Sequence, residues 1–497
     1  MTNPNDDSFG RRTFLKQVAT VAGTAPLAPA LLGASAASAQ TAPAHRNEET
    51  NHETERLAAY AAQMRYEDLP PAVVQRAKDC ISDTVAAIIY GAELPWSKMI
   101  IAHARRTSAA GKSSILGSGG GPVQAPAAAL ANGAMTHAFE LDSLTKPDSG
   151  SHPGATVFTA ALAVAQERGL SGRELLTAFV AGAESMFRIG HATKHTNEAR
   201  GFHAPGTTGP FGAAVASGRL MGLDAAKMTN ALGVAGSCAG GLLEFAHAGN
   251  GAMVKRLHMG RAAEGGVLAA SLAAQGFTGP TSVLEGEYGF LRVFCNEWDV
   301  AELTHGLGKD YFTLDIMLKR YACHITAHNP VEATLDLRNE HKFTAADVAS
   351  ITIGGSDRMA KTNNIPAPPD VMLAQYSIPF SVALSLYRNP IDPRSFDDGV
   401  VRDRAILDLA SRTKMVVRPG QDRRDLAASV TIKLKDGREV TRTVTSFKGT
   451  PERPLDRAEL REKFLLLTQH LGRDRMSPLF DRLQAIESEK TLDWLNV

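Results

Sequence analysis

Apolar residues recur every three or four positions along most of residues 55–314, which is the period of α-helices with one buried face. The clearest example covers residues 73–90, where Val73, Ala77 and Ile81 fall on one side of the predicted helix. No stretch of this part alternates convincingly between apolar and polar residues, as a half-buried strand would. The pattern therefore predicts a large all-helical domain.

Further along the chain the pattern changes to the two-residue alternation of β-strands. Residues 348–354 predict one strand, and residues 428–434 and 439–444 predict two more. The Asp436-Gly437 pair between the last two is a strong hairpin signal, because Gly adopts positive φ at little cost. This part is predicted to be a smaller α+β domain.

The two patterns together predict a mainly α fold with an α+β part. The α+β domain is assigned to residues 315–454, and C-terminal helices are assigned to residues 455–497. Leu460, Phe464 and Leu467 lie on one face of the first of these helices. Such an apolar face predicts that the C-terminal helices pack back on the helical domain.

The N-terminus has the features of an export signal. Arg11-Arg12 precedes a mildly apolar, Ala-rich segment that ends in a small-residue cleavage site at Ala39. We expect a twin-arginine signal peptide over residues 1–39 and a linker over residues 40–54, with the Tat export machinery as a partner and the periplasm as the destination. Prolines and glycines interrupt the apolar run, so no stable membrane insertion is expected. The alternative is a cytoplasmic protein whose basic start arose by chance.

Composition excludes several classes of function. The 497-residue chain is 44% hydrophobic and 21% charged, and its net charge of +1 gives no reason to expect a nucleic-acid partner. It contains no GxSxG elbow, HExxH motif, phosphate loop or CxxC pair. His324 and His328 have the spacing of metal ligands, but Pro330 follows closely. We therefore expect no metal and no cofactor.

Lysines and histidines remain as the candidates for chemistry. His152 precedes a Pro-Gly turn, and His203 lies between Gly201 and another Pro-Gly pair. Taken alone, each is equally well explained as a surface or capping histidine. Lys255 and His258 are three residues apart and would share one face of a helix.

Two further candidates, Lys319 and His324, fall near the predicted junction of the domains, where clefts form. A solvated Lys is the default interpretation of any single position. As a set, however, Lys and His without a thiolate, metal motif or nucleotide loop suit a cofactor-free reaction on a polycarboxylate. Lys would supply positive charge and His would transfer protons.

Five ordered motifs resemble those of the MmgE/PrpD family, which includes 2-methylcitrate dehydratases, cis-aconitate decarboxylases and iminodisuccinate epimerases. They occupy residues 137–142, 151–154, 201–203, 255–260 and 319–324. The resemblance runs from about residue 55 to the C-terminus. It implies a large helical domain, a smaller α+β lid, a homodimer and a cofactor-independent active site between the domains.

Carried over by position, the resemblance implies a catalytic set: His152, His203, Lys255, Lys319, His324 and Glu140. It also implies substrate-binding positions: His258, Arg320 and Phe380. Glu140 stands where the family usually has Asp, and Phe380 stands where many members have Tyr. Because Phe cannot donate or accept a proton, these departures bear on the identity of the substrate.

The implied reaction is proton abstraction next to a carboxylate of a small di- or tricarboxylate. Lys255 and Lys319 would bind substrate carboxylates and stabilise an aci-carboxylate, while His152 and His203 would act as general base and general acid. His324 would position groups or relay a proton.

Glu140 would orient a His or bind a substrate hydroxyl. A 2-methylcitrate dehydratase-like hydro-lyase is the first expectation, an epimerase or isomerase the second, and a decarboxylase a further alternative. A catalytically inert periplasmic carboxylate-binding protein is the rival from another class, and a metallohydrolase would require bound metal.

Overall fold

The computed structural model of the protein describes residues 52–145, 150–246 and 252–497. The predicted signal peptide over 1–39 and nearly all of the predicted linker over 40–54 lie outside these residues. Within the described ranges the chain is mainly helical and carries one small mixed sheet. The predicted fold class is therefore confirmed.

Helices make up most of the described residues before residue 310. They are α1 (Glu53–Gln63), α2 (Pro71–Ala92), α3 (Pro95–Thr107), α4 (Ala125–Thr136), α5 (Thr159–Arg168), α6 (Gly172–Ala192), α7 (Thr196–Ala199), α8 (Ala204–Leu220), α9 (Ala225–Gly236), α10 (Val254–Ala274) and α11 (Phe290–Phe294). The apolar stripe that predicted α2 is fully buried, as Val73, Ala77 and Ile81 show. Pro71 begins this helix, where its missing N–H costs no hydrogen bond.

Small residues let these helices approach one another closely. A side-chain carbon at Gly266 on α10 would lie 2.6 Å from the carbonyl carbon of Ala213 on α8. One at Gly91 on α2 would lie 2.9 Å from the carbonyl carbon of Met135 on α4. Helices that touch through backbone atoms hold their ends in fixed positions, and the polar groups described below lie at such ends.

The helical part also contains one short strand, β1 (Ala110–Ser113), which corrects the prediction that this part is all helical. The strand pairs only locally, through isolated bridges to Val123. It arises because the glycine-rich loop that follows folds back on itself. Three residues of its four are exposed or half-buried, so the strand carries no alternating apolar signal.

Helices and strands mix in the remainder of the chain. The helices are α12 (His328–His341), α13 (Asp357–Thr362), α14 (Val371–Tyr376), α15 (Ile378–Tyr387), α16 (Asp398–Val401), α17 (Arg404–Ser411), α18 (Arg457–Leu467) and α19 (Arg473–Gln484). The strands are β2 (Val348–Gly355), β3 (Thr413–Val417), β4 (Ala428–Leu434) and β5 (Glu439–Val444).

These four strands form one sheet in the order β3-β2-β4-β5. Strand β2 is parallel to β3 and antiparallel to β4. The predicted hairpin joins β4 to β5, with Gly437 at a φ of 93° in its turn. Strand β3 lacked a recognisable pattern, because its outer residues are exposed at the edge of the sheet.

The C-terminal helices α18 and α19 lie against α2. Lys463 of α18 is buried among apolar neighbours and contacts two groups of the helical part. Its Nζ is 2.5 Å from a carboxylate oxygen of Asp83 and 3.0 Å from the carbonyl oxygen of Leu141. This contact ties the segment after α4 to the end of the chain.

No single helix within the described ranges is both long and apolar enough to cross a membrane. The bent pair α2 and α3 meets the length and composition criterion only when its two helices are taken together.

Candidate active site

A cavity of about 410 Å³ lies between the helical part and the mixed part of the chain. Six of the predicted site residues line it: Glu140, His152, His203, Lys255, Lys319 and His324. Each stands at a helix end or in a connecting segment. His203 is the residue before α8, Lys255 is in the first turn of α10, and His152 is separated by Pro153 alone from a π-helical turn at Gly154–Phe158.

Two short segments meet at the floor of the cavity. The backbone groups of Leu144 and Met317 exchange hydrogen bonds of 3.1 and 2.6 Å, which sets the segment after α4 beside the segment that carries Lys319. The carbonyl of Ala138 accepts from the indole of Trp96 at 3.0 Å. These contacts fix the backbone that presents Glu140.

The carboxylate of Glu140 lies between the two lysines. Lys319 Nζ donates to one oxygen at 2.7 Å, and Lys255 Nζ contacts the other. Burial raises the pKa of Glu140, but the adjacent Lys255 and Lys319 outweigh this and hold it well below its usual value. Glu140 therefore bridges two cations, where the sequence predicted that it would orient a His or bind a substrate hydroxyl.

Asp142 performs the orienting role that was assigned to Glu140. Its Oδ2 lies 2.9 Å from Nδ1 of His137 and 2.8 Å from Nδ1 of His152. Burial raises the pKa of Asp142, but the neighbouring histidines outweigh this and hold it well below its usual value, so it is an acceptor. Both histidines then carry their proton on Nδ1, and Nε2 of His152 is left for the cavity.

His203 reaches the cavity from the N-terminus of α8. Its Nδ1 lies 3.1 Å from Nδ1 of His258, and the ring of Phe245 meets it edge-on at a centroid distance of 5.2 Å. Burial, followed by the charge of Lys255, holds the pKa of His203 well below its usual value. His203 is therefore neutral near pH 7.

Tyr376, at the end of α14, forms the wall beside His324. The two rings stack at 4.6 Å, and Lys255 Nζ lies 4.9 Å from the centre of the tyrosine ring. Nδ1 of His324 is 2.9 Å from the hydroxyl oxygen of Thr326. Burial raises the pKa of Tyr376 well above its usual value, so its phenol stays protonated.

The other three predicted residues do not line this cavity. Phe380 is fully buried in the first turn of α15, four residues beyond Tyr376, the last residue of α14. Arg320 lies 3.5 Å from Glu459 of α18. His258 is behind His203 and lines a separate, mainly apolar cavity.

Several groups of the site were not predicted from the sequence: His137, Asp142, Tyr376, His195, Glu198 and Arg358. The first two belong to the motif over residues 137–142, whose spacing does not reveal which carboxylate faces a lysine and which faces the histidines. Tyr376 is four residues before Phe380, so the segment around Phe380 could have suggested either aromatic ring. The others lie outside the quoted motifs.

One group of side chains within the described ranges has a spacing that could hold a metal ion, namely His137, Asp142 and His152. Their short distances are those of hydrogen bonds to an ionised carboxylate. Lys319 Nζ lies 3.6 Å from the second oxygen of that carboxylate and would repel a cation. His328, part of the spacing considered for a metal, instead lies with Nε2 3.2 Å from the Cys323 carbonyl. The expectation of no metal stays a prediction.

Family models identify the class of protein that this fold and cavity define. The model of the MmgE/PrpD N-terminal domain matches residues 55–303, and that of the MmgE/PrpD C-terminal domain matches residues 321–482. The chain belongs to the MmgE/PrpD family, so the predicted membership is confirmed.

The chain is also similar to individual enzymes. A cis-aconitate decarboxylase of Aspergillus terreus is 31% identical over 83% of this chain and 89% of its own length. The human cis-aconitate decarboxylase is 28% identical over 83% of this chain and 86% of its own length. The enzyme of Mus musculus is 26% identical over 87% of this chain and 90% of its own length. These relatives are carboxy-lyases, which supports the general prediction of a lyase. None of the three is a hydro-lyase, the class expected first from the sequence.

Replacing Glu140 with Gln should destabilise the protein strongly. The change leaves Lys255 and Lys319 buried without their shared carboxylate, and breaking a buried ion pair costs about 3–5 kcal/mol. Urea unfolding of Glu140→Gln measures the loss. Glu340→Gln is the matched control, because Glu340 is 54% exposed beside Arg442 and its pair should contribute at most about 1 kcal/mol. Equal losses in the two variants would contradict the buried bridge.

His137 should make stability depend on pH. Burial lowers its pKa to about 3, whereas in the unfolded chain it stays near the ordinary 6.5. At a pH between these two pKa values, His137 therefore binds a proton in the unfolded state but not in the folded state. Stability falls as pH drops through this window, by about 1.4 kcal/mol per pH unit for this residue. Urea unfolding at pH 7, 6 and 5 should give a shallower slope for His137→Asn than for the wild type, and parallel slopes would exclude the contribution.

Proposed function

We propose that the protein is a cofactor-independent carboxy-lyase that removes CO2 from a small unsaturated tricarboxylate of the cis-aconitate type. The observation that carries the proposal is the buried Lys255–Glu140–Lys319 cluster beside histidines that face one cavity. The similarity to three decarboxylases supports decarboxylation over the dehydration expected first. Both reactions need a carbanion next to a carboxylate, so the same cluster would serve either.

The charge of the cavity suits a trianion. Its described lining carries six Lys or Arg side chains and three carboxylates, an excess of three positive charges when the histidines are left out of the count. A tricarboxylate brings close to three negative charges at neutral pH, since its carboxyl groups ionise below pH 7. Binding would therefore leave the site close to electrical neutrality.

The lysines can serve the substrate while they hold Glu140. Each ammonium has three donors and gives one to that carboxylate, which leaves two for a ligand. Two cations fixed at one point stabilise the negative charge that develops on a substrate carboxylate in the transition state. Glu140 prevents the lysines from repelling each other before the substrate arrives.

Decarboxylation of cis-aconitate consumes one proton. The bond between the methylene carbon and its carboxylate breaks, and its electron pair forms a new double bond to the central carbon. The pair of the old double bond moves to the carbon beside a second carboxylate, which becomes an aci-carboxylate held by Lys255 and Lys319. A proton then adds to that carbon, and the products are CO2 and an unsaturated dicarboxylate.

His152 is the residue that we assign as the donor of this proton. Asp142 accepts from Nδ1 and thereby directs Nε2 toward the cavity. The side chain is 12% exposed, whereas Asp142 and His137 are fully buried, so solvent can supply a second proton at Nε2, which His152 then donates as an imidazolium. His203 is neutral and would hydrogen-bond the substrate, while His324 is positioned by Thr326 and Tyr376.

The location and assembly of the enzyme are part of the same proposal. The twin-arginine signal peptide would export the folded protein to the periplasm, where the mature enzyme would act as a homodimer. Size measurement by light scattering and N-terminal sequencing of periplasmic material address these two points.

The experiment that tests the function offers purified protein cis-aconitate, citrate, 2-methylcitrate and aspartate-derived dicarboxylates. CO2 release is measured together with proton NMR of the remaining acid. We expect CO2 and an unsaturated dicarboxylate from cis-aconitate. His152→Gln should lower kcat by about 100- to 10,000-fold, the usual contribution of a general acid, whereas the exposed His103→Gln on α3 should not change it.

Other outcomes would replace the proposal. Dehydration of 2-methylcitrate without CO2 release would support the hydro-lyase that was expected first from the sequence. Saturable binding of an acid with no turnover on the whole panel would favour the carboxylate-binding protein.

A further inference from the structure

The outer wall of the cavity carries charged groups that the proposed mechanism does not use. Arg358, in α13, faces Glu198 of α7 at 3.8 Å, and Glu198 lies 2.6 Å from Nε2 of His195. All three residues line the same cavity as the buried lysines. The wall therefore combines a helix of the mixed part with a short helix of the helical part.

The guanidinium of Arg358 has N–H donors that no described residue accepts. Its side chain is 28% exposed, and the 3.8 Å separation from Glu198 exceeds hydrogen-bond length. No group in residues 52–145, 150–246 or 252–497 forms a hydrogen bond with the Arg358 guanidinium. A guanidinium presents five N–H donors in a planar fork that matches a carboxylate.

Arg358 lines the same cavity as the inner cations but is held on a different element. Lys255 is in the first turn of α10, whereas Arg358 is in α13. Burial lowers the pKa of His324 well below its usual value, and the charges of Lys255 and Arg358 add to this effect against the opposing charge of Glu140. Two cations near one imidazole, held on separate helices, can bind different carboxylates of a single small ligand.

The backbone beside Glu198 is strained in a way that favours a functional role. Lys194 and His195 are consecutive non-glycine residues with φ of 46° and 59°. Side chains rarely adopt this left-handed conformation, and strain of this kind concentrates at functional sites. The hydroxyl of Thr193 accepts from the His195 N–H at 3.1 Å and stabilises the turn. The turn places His195 against Glu198, which in turn faces Arg358.

The reaction leaves one substrate carboxylate without an assigned partner. One carboxylate departs as CO2, and one takes up the electron pair between Lys255 and Lys319. The carboxylate on the central carbon keeps its charge from substrate to product. A fixed cation outside the reacting centre would suit it, because such a contact binds the ground and transition states equally.

We propose that Arg358, positioned by Glu198, binds the central carboxylate and makes the enzyme selective for tricarboxylates over dicarboxylates. The bond would be a charge-assisted, bidentate pair of the kind that Arg forms with carboxylates. Arg358 is then a specificity-determining residue whose loss weakens binding and spares the chemical step. This inference rests on the proposed function, since it assumes a carboxylate substrate in this cavity.

The test compares two unreactive ligands that differ only in the central carboxylate, tricarballylate and glutarate. Their dissociation constants are measured by calorimetry for the wild type, Arg358→Gln and Arg358→Lys. Arg358→Gln should weaken the binding of tricarballylate about 10- to 100-fold and the binding of glutarate less than about 3-fold. Arg358→Lys should recover part of the loss, because it keeps the charge without the fork. With cis-aconitate, Arg358→Gln should raise KM by a similar factor and leave kcat within about 3-fold.

Arg402→Gln is the matched control, because it removes the same charge from a side chain that is 76% exposed on the same part of the chain. This control should change the dissociation constant of neither ligand. Equal weakening of tricarballylate and glutarate by Arg358→Gln, or a loss confined to kcat, would overturn the inference while the carboxy-lyase stands. If the wild type binds neither acid and turns over no member of the panel, the proposed function itself fails. A melting temperature for each variant shows that the fold is intact, and Arg358→Lys carries the test if the Gln variant does not fold.

Discussion

One buried carboxylate lies between two buried lysines, and the rest of the site is arranged around this contact. Removing an ammonium from water is costly, and two of them side by side repel each other as well. Glu140 offsets both costs, because it offers one oxygen to Lys255 and the other to Lys319. The cluster can exist only if three distant segments of the chain meet within a few ångströms. The fold can therefore be understood as the means of bringing the end of α4, the start of α10 and the Lys319 segment together.

The surrounding structure supplies the rigidity that this meeting requires. Helices that touch through glycine and alanine leave little freedom for their ends to shift. Trp96 binds the carbonyl of Ala138, while Lys463 of the C-terminal helix binds the carbonyl of Leu141, so the backbone on each side of Glu140 is anchored. Asp142 uses the same backbone to orient His152. In the proposed reaction, Glu140 would serve charge stabilisation and Asp142 would serve proton transfer.

Sequence patterns were sufficient where local structure decides the outcome. The helical period located α2 within two residues at either end, and the Asp-Gly signal located the hairpin between β4 and β5. The motifs named six residues, predicted as the catalytic set, that the structure places in one cavity. The motifs did not predict contacts that depend on the tertiary packing of side chains from distant segments. Phe380 and Tyr376 are four residues apart on either side of the Ser377 cap, and only packing decides which ring enters the wall. Arg358 belongs to no motif and joins the site only because α13 lies opposite α7.

The measurement that tests the account most directly is turnover of cis-aconitate in deuterium oxide, followed by proton and carbon NMR. The account predicts CO2 release with one solvent deuteron on the product carbon next to a retained carboxylate, because the aci-carboxylate at Lys255 and Lys319 is quenched by an exchangeable group. Release of CO2 without deuterium at that carbon, or loss or addition of water without CO2, would contradict it.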